Sequence, residues 1–363
     1  MSTPGELRLQ VDMDALASFD AIIDVRSPAE FAVDHIPGAL NFPVLDDAER
    51  ARIGTLYTQV SPFAARRLGA ALVARNIAAH IERHLQEQPK SWRPLIYCWR
   101  GGQRSGAMTT VLAQIGWPAR QLDGGYRSYR RRVIADLDAL PAQHDFVVLH
   151  GPTGSGKTAL LQALNELGGQ VLDLEALARH RGSVLGATGA GGACDNQPGQ
   201  KAFETAVWDA LRRFERRSPV FVESESRRIG RLSLPGALFE ALISARCVRI
   251  VAPIEARVTH LLERYADIYQ EPQALHARLD FFAPLLGHKT VERWRGWVEE
   301  GRWGALAREM VTSHYDPAYH RGGNSLYRRA HAAQVLELDS LDRDAIIRAA
   351  REILQPSGNR NAH

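Results

Sequence analysis

Cys98 opens a turn that continues Trp99, Arg100, Gly101, Gly102, Gln103, Arg104 and Ser105. Converging backbone N–H groups, a following helix N-terminus and two guanidinium groups all favour the thiolate of such a cysteine. That thiolate is a nucleophile toward sulfur, selenium or phosphorus. A second loop reads Gly151-Pro152-Thr153-Gly154-Ser155-Gly156-Lys157-Thr158 and fits the pattern G-x-x-x-x-G-K-[ST]. Gly151, Gly154, Ser155 and Gly156 let backbone N–H groups close on phosphate oxygens, Lys157 adds a point charge, and Thr158 can reach a magnesium ion. Asp173 and Glu223 each follow a later apolar run, where a carboxylate can hold magnesium through water, act as acid or base, or simply cap a helix. No N-K-x-D string reads a guanine, so the phosphate cradle need not serve a nucleotide; a diphosphate on another substrate satisfies it.

These loops need strands before them and helices after. Ala21–Val25 and Pro94–Tyr97 are short apolar runs, the second ending at Cys98. Gln103 to Gly116 has helical spacing with a glycine stop and Pro118 beyond. A strand over 119–122 closes at Gly124-Gly125, and a basic helix runs from about Tyr126 to Leu140, with Pro141 marking the boundary. In the second part, Phe146–Leu149 leads directly into the phosphate loop, and Thr158–Leu167 reads as a helix. Further strands are expected at 171–173, 220–222, 248–251 and 335–338. Helices are expected at 200–217, 235–245, 254–269, 272–301 and 342–354. Alternation of this kind implies α/β architecture, and in the second part a parallel sheet covered on both faces. The glycine-rich stretch 182–199 reads as a mobile loop. The expected domains are 1–140, then 141–355 with a helical insert at about 254–315, then a flexible tail at 356–363.

Length and composition agree. A chain of 363 residues holds two or three domains at about 150 residues each. Apolar content of 45% and charged content of 24% are those of a globular protein. No apolar run spans a bilayer and no secretory signal opens the chain, so a cytoplasmic protein is expected. Cys98, Cys194 and Cys247 form neither a disulfide framework nor a zinc motif; Cys247 reads as core. The net charge is only +4, yet arginines cluster at Arg127, Arg130, Arg131 and Arg132, at Arg212, Arg213, Arg216 and Arg217, and at Arg227, Arg228 and Arg231. Such clusters suit RNA phosphates, or are ion-paired helix faces.

Asp24-Val25-Arg26-Ser27-Pro28-Ala29-Glu30-Phe31 and His35-Ile36-Pro37-Gly38-Ala39-Leu40-Asn41 resemble the front signature of rhodanese domains, and the Cys98 loop with Asp123-Gly124-Gly125 matches the rest. Ordinary rhodaneses place four residues between the cysteine and the arginine; here five separate Cys98 from Arg104. The longer loop is similar to that of cell-cycle phosphatases, which accept a bulkier tetrahedral anion. A rhodanese-like domain fused to a P-loop NTPase-like domain resembles the tRNA 2-selenouridine synthase family. His180-Arg181-Gly182-Ser183, the string from Gln197 to Glu204 and the string from Glu223 to Gly230 support the likeness.

The resemblance implies a transferase acting on tRNA that carries 2-thiouridine at the wobble position. It first geranylates sulfur with geranyl diphosphate, then replaces S-geranyl by selenium from selenophosphate. Cys98 is then the essential residue of selenation, and residues 99–105 hold selenophosphate. The phosphate loop takes the diphosphate, with magnesium a candidate at Thr158 and no tightly bound cofactor or metal expected. Arg127, Arg130, Arg131, Arg181, Arg227 and Arg228 become candidate contacts to tRNA or diphosphate. A selenophosphate-supplying enzyme is a candidate partner, and no membrane is involved. Trp294, Trp297 and Trp303 offer an aromatic surface or pack a helical core. Other readings stay open from residues alone: a sulfurtransferase fused to a small-molecule kinase, a phosphatase built on the long cysteine loop, or a tRNA-binding regulator with Cys98 as redox sensor.

Overall fold

The computed structural model describes residues 9–180, 196–266, 272–320 and 326–355. Arg181, Cys194, most of the glycine-rich stretch and the C-terminal tail lie outside them. The chain divides into two compact units, Met1–Asp136 and Leu137–His363. No helix among the described residues is long and apolar enough to cross a membrane.

The first unit is built from β1 (Gln10–Val11), β2 (Ala21–Asp24), α1 (Pro28–Val33), β3 (Leu40–Asn41), α2 (Asp47–Gln59), α3 (Pro62–His80), β4 (Pro94–Tyr97), α4 (Gln103–Ile115), β5 (Arg120–Leu122) and most of α5 (Gly125–Ala139). Its strands form one parallel sheet in the order β1-β5-β4-β2-β3. β4 is central and buried at every position, as an unbroken apolar run requires. Ile23, Ile96, Met108, Leu112 and Trp117 make the core that seats it. α2 and α3 escaped the sequence reading. Their apolar residues do not fall into one clear stripe, so periodicity is a poor guide there.

The second unit contains β6 (Phe146–His150), α6 (Lys157–Glu166), β7 (Gln170–Leu172), α7 (Leu174–Ala178), α8 (Gln200–Arg213), β8 (Val220–Glu223), β9 (Arg228–Ile229), β10 (Leu232–Ser233), α9 (Gly236–Ser244), β11 (Arg246–Val251) and α10 (Ile254–Arg264). Then come α11 (Pro272–Leu279), α12 (Ala283–Leu286), α13 (His288–Glu299), α14 (Trp303–Met310), α15 (Asp316–Ala318), β12 (Gln334–Glu337) and α16 (Arg343–Leu354). Its parallel sheet runs β12-β11-β6-β8-β7, with β9 and β10 a separate antiparallel pair. The single helix expected over 272–301 is broken, because Gly287 takes φ 85°, a left-handed conformation that ends α12. α10 ends at Arg264, short of 269. Trp294 is fully buried among Leu279, Phe282, Val291 and Met310, with Trp297 and Trp303 packed against that cluster. The tryptophans therefore build the core of the insert rather than an open aromatic surface.

Candidate functional site

In the first unit, Cys98 lies at the C-terminal end of β4, where a parallel sheet presents ligands to its following loop. Its Sγ accepts from Ser105 Oγ at 3.1 Å and from Gly102 N at 3.4 Å. Burial works against the thiolate. Hydrogen bonds from the Ser105 hydroxyl and from the backbone of Ser105, Arg100 and Gly102 outweigh it, and the thiol sits below its ordinary value. No guanidinium is among the leading contributions to that balance. Arg104 is instead paired with Glu30 at 2.7 Å, and Glu30 is held below the usual carboxylate range by that pairing, against its own burial. Arg100 is exposed. Gln121, in β5, donates from Nε2 to Ser105 Oγ at 2.8 Å and to the Gly102 carbonyl at 3.0 Å. Nothing in the sequence singled it out.

α5 closes the loop from the other side. Tyr126 N donates to the Cys98 carbonyl at 2.8 Å and Arg127 N to that of Trp99 at 3.1 Å. Gly125 takes φ 55°, and a Cβ there would run into the Cys98 carbonyl and the Gly101 amide; only glycine permits the approach. The Trp99 ring stacks on Tyr126 with centroids 5.2 Å apart. Arg127 and Arg131 are exposed and Arg130 is half-buried on the same helix. The front signature is structural: buried Asp24 and Arg26 pair at 2.6 Å, and Arg26 lies over the Tyr126 ring.

In the second unit, the phosphate loop joins β6 to α6 and borders a cavity of about 570 Å³. Lys157 is folded onto its own loop, donating to the carbonyls of Gly151 at 2.8 Å and Pro152 at 3.3 Å. Thr158 Oγ1 lies 3.3 Å from Glu223 Oε2 and 3.5 Å from Glu175 Oε2. Arg264, from α10, donates to Thr158 Oγ1 and to Glu175 Oε2, both at 2.7 Å. Glu175, Glu223 and Glu225 bring one carboxylate oxygen each within 4.8 Å of one another. Glu223 is fully buried, and its Oε1 has no hydrogen-bond partner among the described residues. Burial, then the neighbouring Glu175 and Glu225, push Glu223 well above the carboxylate range. Burial and Glu175 push Glu225 up to about 8. Burial lowers Lys157 against the pull of the three glutamates.

Asp173 does not join this group. Its Oδ1 accepts from Ala176 N at 2.8 Å and caps α7, so the carboxylate that this turn delivers to Thr158 is Glu175. Arg227 and Arg228 are exposed, and neither lines the cavity. Arg212 and Arg213 pair with Asp209, an ion-paired helix face. Cys247 is buried in β11, its thiol pushed up by burial. Gln197 and Gln200, in one of the family-like strings, hold the β9–β10 hairpin. Gln197 Nε2 donates to the carbonyls of Ala178 and Ile229, and Gln200 exchanges hydrogen bonds with the Ser233 backbone. The cavity is also lined by Leu261, Tyr265, Tyr315, Tyr319 and Tyr327; Leu261 lies against Gly154 of the phosphate loop, and the Tyr327 hydroxyl donates to the Glu225 carbonyl at 2.7 Å.

The Rhodanese-like domain model matches residues 3–132, and the model described as tRNA 2-selenouridine synthase AAA domain matches residues 144–282. Similar proteins named tRNA 2-selenouridine synthase come from several bacteria. That of Nitrosomonas europaea is 37% identical over 70% of this chain and 66% of its own length, just under two thirds of it. That of Hahella chejuensis is 33% identical over 83% of this chain and 80% of its own. That of Shewanella sp. (strain ANA-3) is 30% identical over 90% of this chain and 96% of its own. Both halves thus find their counterparts in one kind of protein, along nearly its whole length, and the chain belongs to the tRNA 2-selenouridine synthase family.

Proposed function

We propose that the protein converts 2-thiouridine at the tRNA wobble position to 2-selenouridine through an S-geranyl intermediate. The observation that carries this reading is the cavity of the second unit, whose lining combines a phosphate cradle with aromatic and aliphatic side chains. A diphosphate bearing a prenyl chain matches both kinds of lining. In the first half-reaction the thiouridine sulfur attacks C1 of geranyl diphosphate. The C–O bond breaks, pyrophosphate leaves with the electron pair, and the N3 proton passes to solvent. Lys157 and Arg264 are the cations placed to meet the departing charge, once released from their own loop carbonyls and from Glu175.

Magnesium fits beside Thr158 of the phosphate loop. Its donors would be Thr158, Glu175, Glu223 and Glu225, all hard oxygens, and a cation there would supply a partner for the orphaned Glu223 Oε1. When bound, it neutralises charge on the diphosphate.

In the second half-reaction the Cys98 loop receives selenophosphate. Thiolate attack at phosphorus forms an S–P bond and breaks P–Se, so hydrogen selenide departs with the electron pair and no oxidant is needed. Selenide adds at C2 of the S-geranyl base, geranylthiolate leaves, and the selenium-borne proton moves to N3. Water then hydrolyses the phosphocysteine to phosphate. Five residues between Cys98 and Arg104 give room for a tetrahedral anion.

Mass spectrometry of tRNA nucleosides after incubation with geranyl diphosphate, then selenophosphate, tests the scheme. Cys98→Ser is expected to accumulate S-geranyl-2-thiouridine without 2-selenouridine. Lys157→Ala is expected to leave 2-thiouridine largely unconverted. Unchanged 2-thiouridine with the wild-type protein would sink the reading. ATP turnover stimulated by tRNA would favour a kinase instead.

A further inference from the structure

We infer that the tip of the α2–α3 hairpin is an RNA-docking surface that presents tRNA to the Cys98 loop; this rests on the tRNA reading above. The stretch from Arg50 to Ile81 contains Arg50, Arg52, Arg66, Arg67 and Arg75 and no aspartate or glutamate. Arg75 pairs with Glu49, and Arg50 approaches Glu30 at 3.8 Å. Arg52, Arg66 and Arg67 are exposed and make no ion pair among the described residues. Between them the tip exposes large apolar side chains: Val60 at 72%, Phe63 at 71% and Tyr57 at 50%. Single exposed apolar residues are ordinary, but this group flanks the α2–α3 turn, with Arg66 and Arg67 following Phe63 in the first turns of α3. Unpaired arginines beside exposed aromatic rings match a single-stranded RNA loop, whose phosphates take the charges and whose bases stack on the rings.

The tip is rigidly built, which limits the entropy lost on binding. Val60 N and Ser61 N both donate to the Leu56 carbonyl, while Ser61 Oγ accepts from Ala64 N to cap α3, with Pro62 in its first turn. The other end of α2 is tied to the cysteine loop's surroundings. Ala29 N donates to Asp47 Oδ1, and Glu30 links Arg50 with Arg104. At 1.5 Å per residue α2 is about 20 Å long. One RNA can therefore rest on the tip while a nucleotide at its end reaches the Cys98 loop.

Fluorescence anisotropy with a labelled tRNA whose wobble base is uridine, across a salt series, tests this. Arg66→Gln/Arg67→Gln is expected to weaken binding and lower the slope of log affinity against log salt by about 2, one per phosphate contact. Tyr57→Ala and Phe63→Ala are each expected to cost at least about fivefold in affinity with the salt slope unchanged, the loss of one stacked base. The variants should melt with the wild type and keep its Cys98 alkylation rate, since the altered side chains are exposed. If all of them bind tRNA with wild-type affinity and slope, the proposal fails while the tRNA reading stands. If the wild type self-associates, and Phe63→Ala abolishes that without touching tRNA affinity, the tip is a protein interface and the proposal fails. If the wild-type protein binds no tRNA, both fall together.

Discussion

Ser105 Oγ stands 3.1 Å from Cys98 Sγ and accepts from Gln121 Nε2 at 2.8 Å, so its own proton is left for sulfur or for the Gly102 carbonyl. The Cys98 sulfur therefore rests on a neutral relay, while the half-buried Arg104 answers to Glu30. A hydrogen bond to a charged group is worth more than a neutral one. Ser105→Ala should move the pH dependence of Cys98 alkylation by iodoacetamide upward and slow it severalfold at neutral pH. Gln121→Leu should do the same to a smaller degree, whereas Arg104→Gln should change it little. The thiol and its serine were legible as a motif. The glutamine was not, because it arrives from the neighbouring strand and carries no local signature.

At the scale of elements, the turn after β7 and the loop after β8 decide what the phosphate site contains. Asp173 spends its carboxylate on capping α7, and Glu175, one step into the helix, faces Thr158. β8 ends in Glu223, and the following loop carries Glu225 back to the same place. Glu223→Gln should raise the melting temperature of the unliganded protein, by relieving a buried acid crowded by Glu175 and Glu225 with one oxygen unpartnered, and should sharply reduce any rise produced by magnesium. Differential scanning fluorimetry with and without magnesium reads both effects. The Glu223 loop is braced by Gln197, which satisfies the carbonyls of Ala178 and Ile229. Gln197→Ala should therefore cost about 1–3 kcal/mol in denaturant unfolding, the usual penalty for stranded buried polar groups.

For the molecule as a whole, the crowded glutamates set a pH dependence. A carboxyl held at about 8 when folded, against 4.5 when free, binds its proton more tightly in the folded state. Glu225 thus favours folding at low pH, and that contribution is lost as pH rises from about 4.5 to about 8. The unliganded protein should melt at progressively lower temperature between pH 5 and pH 8. Magnesium should restore more at pH 8 than at pH 5, and Glu225→Gln should flatten the profile.

The sequence alone determined the α/β class, the parallel sheet of the second unit, the thiol and the phosphate loop. Those signals are local: an apolar run, a glycine turn, a helical repeat, each decided by neighbours in the chain. It also carried the family likeness, through strings such as Gln197–Glu204, whose role in bracing a hairpin was invisible until both ends were in place. Tertiary structure decided which charged group each side chain serves. Arg104 met Glu30, Arg264 met Thr158 and Glu175, and Gln121 met Ser105, all across large separations in sequence. Hydrogen bonds and ion pairs act over a few ångströms of space, whatever the distance along the chain, so only the packed fold can assign them.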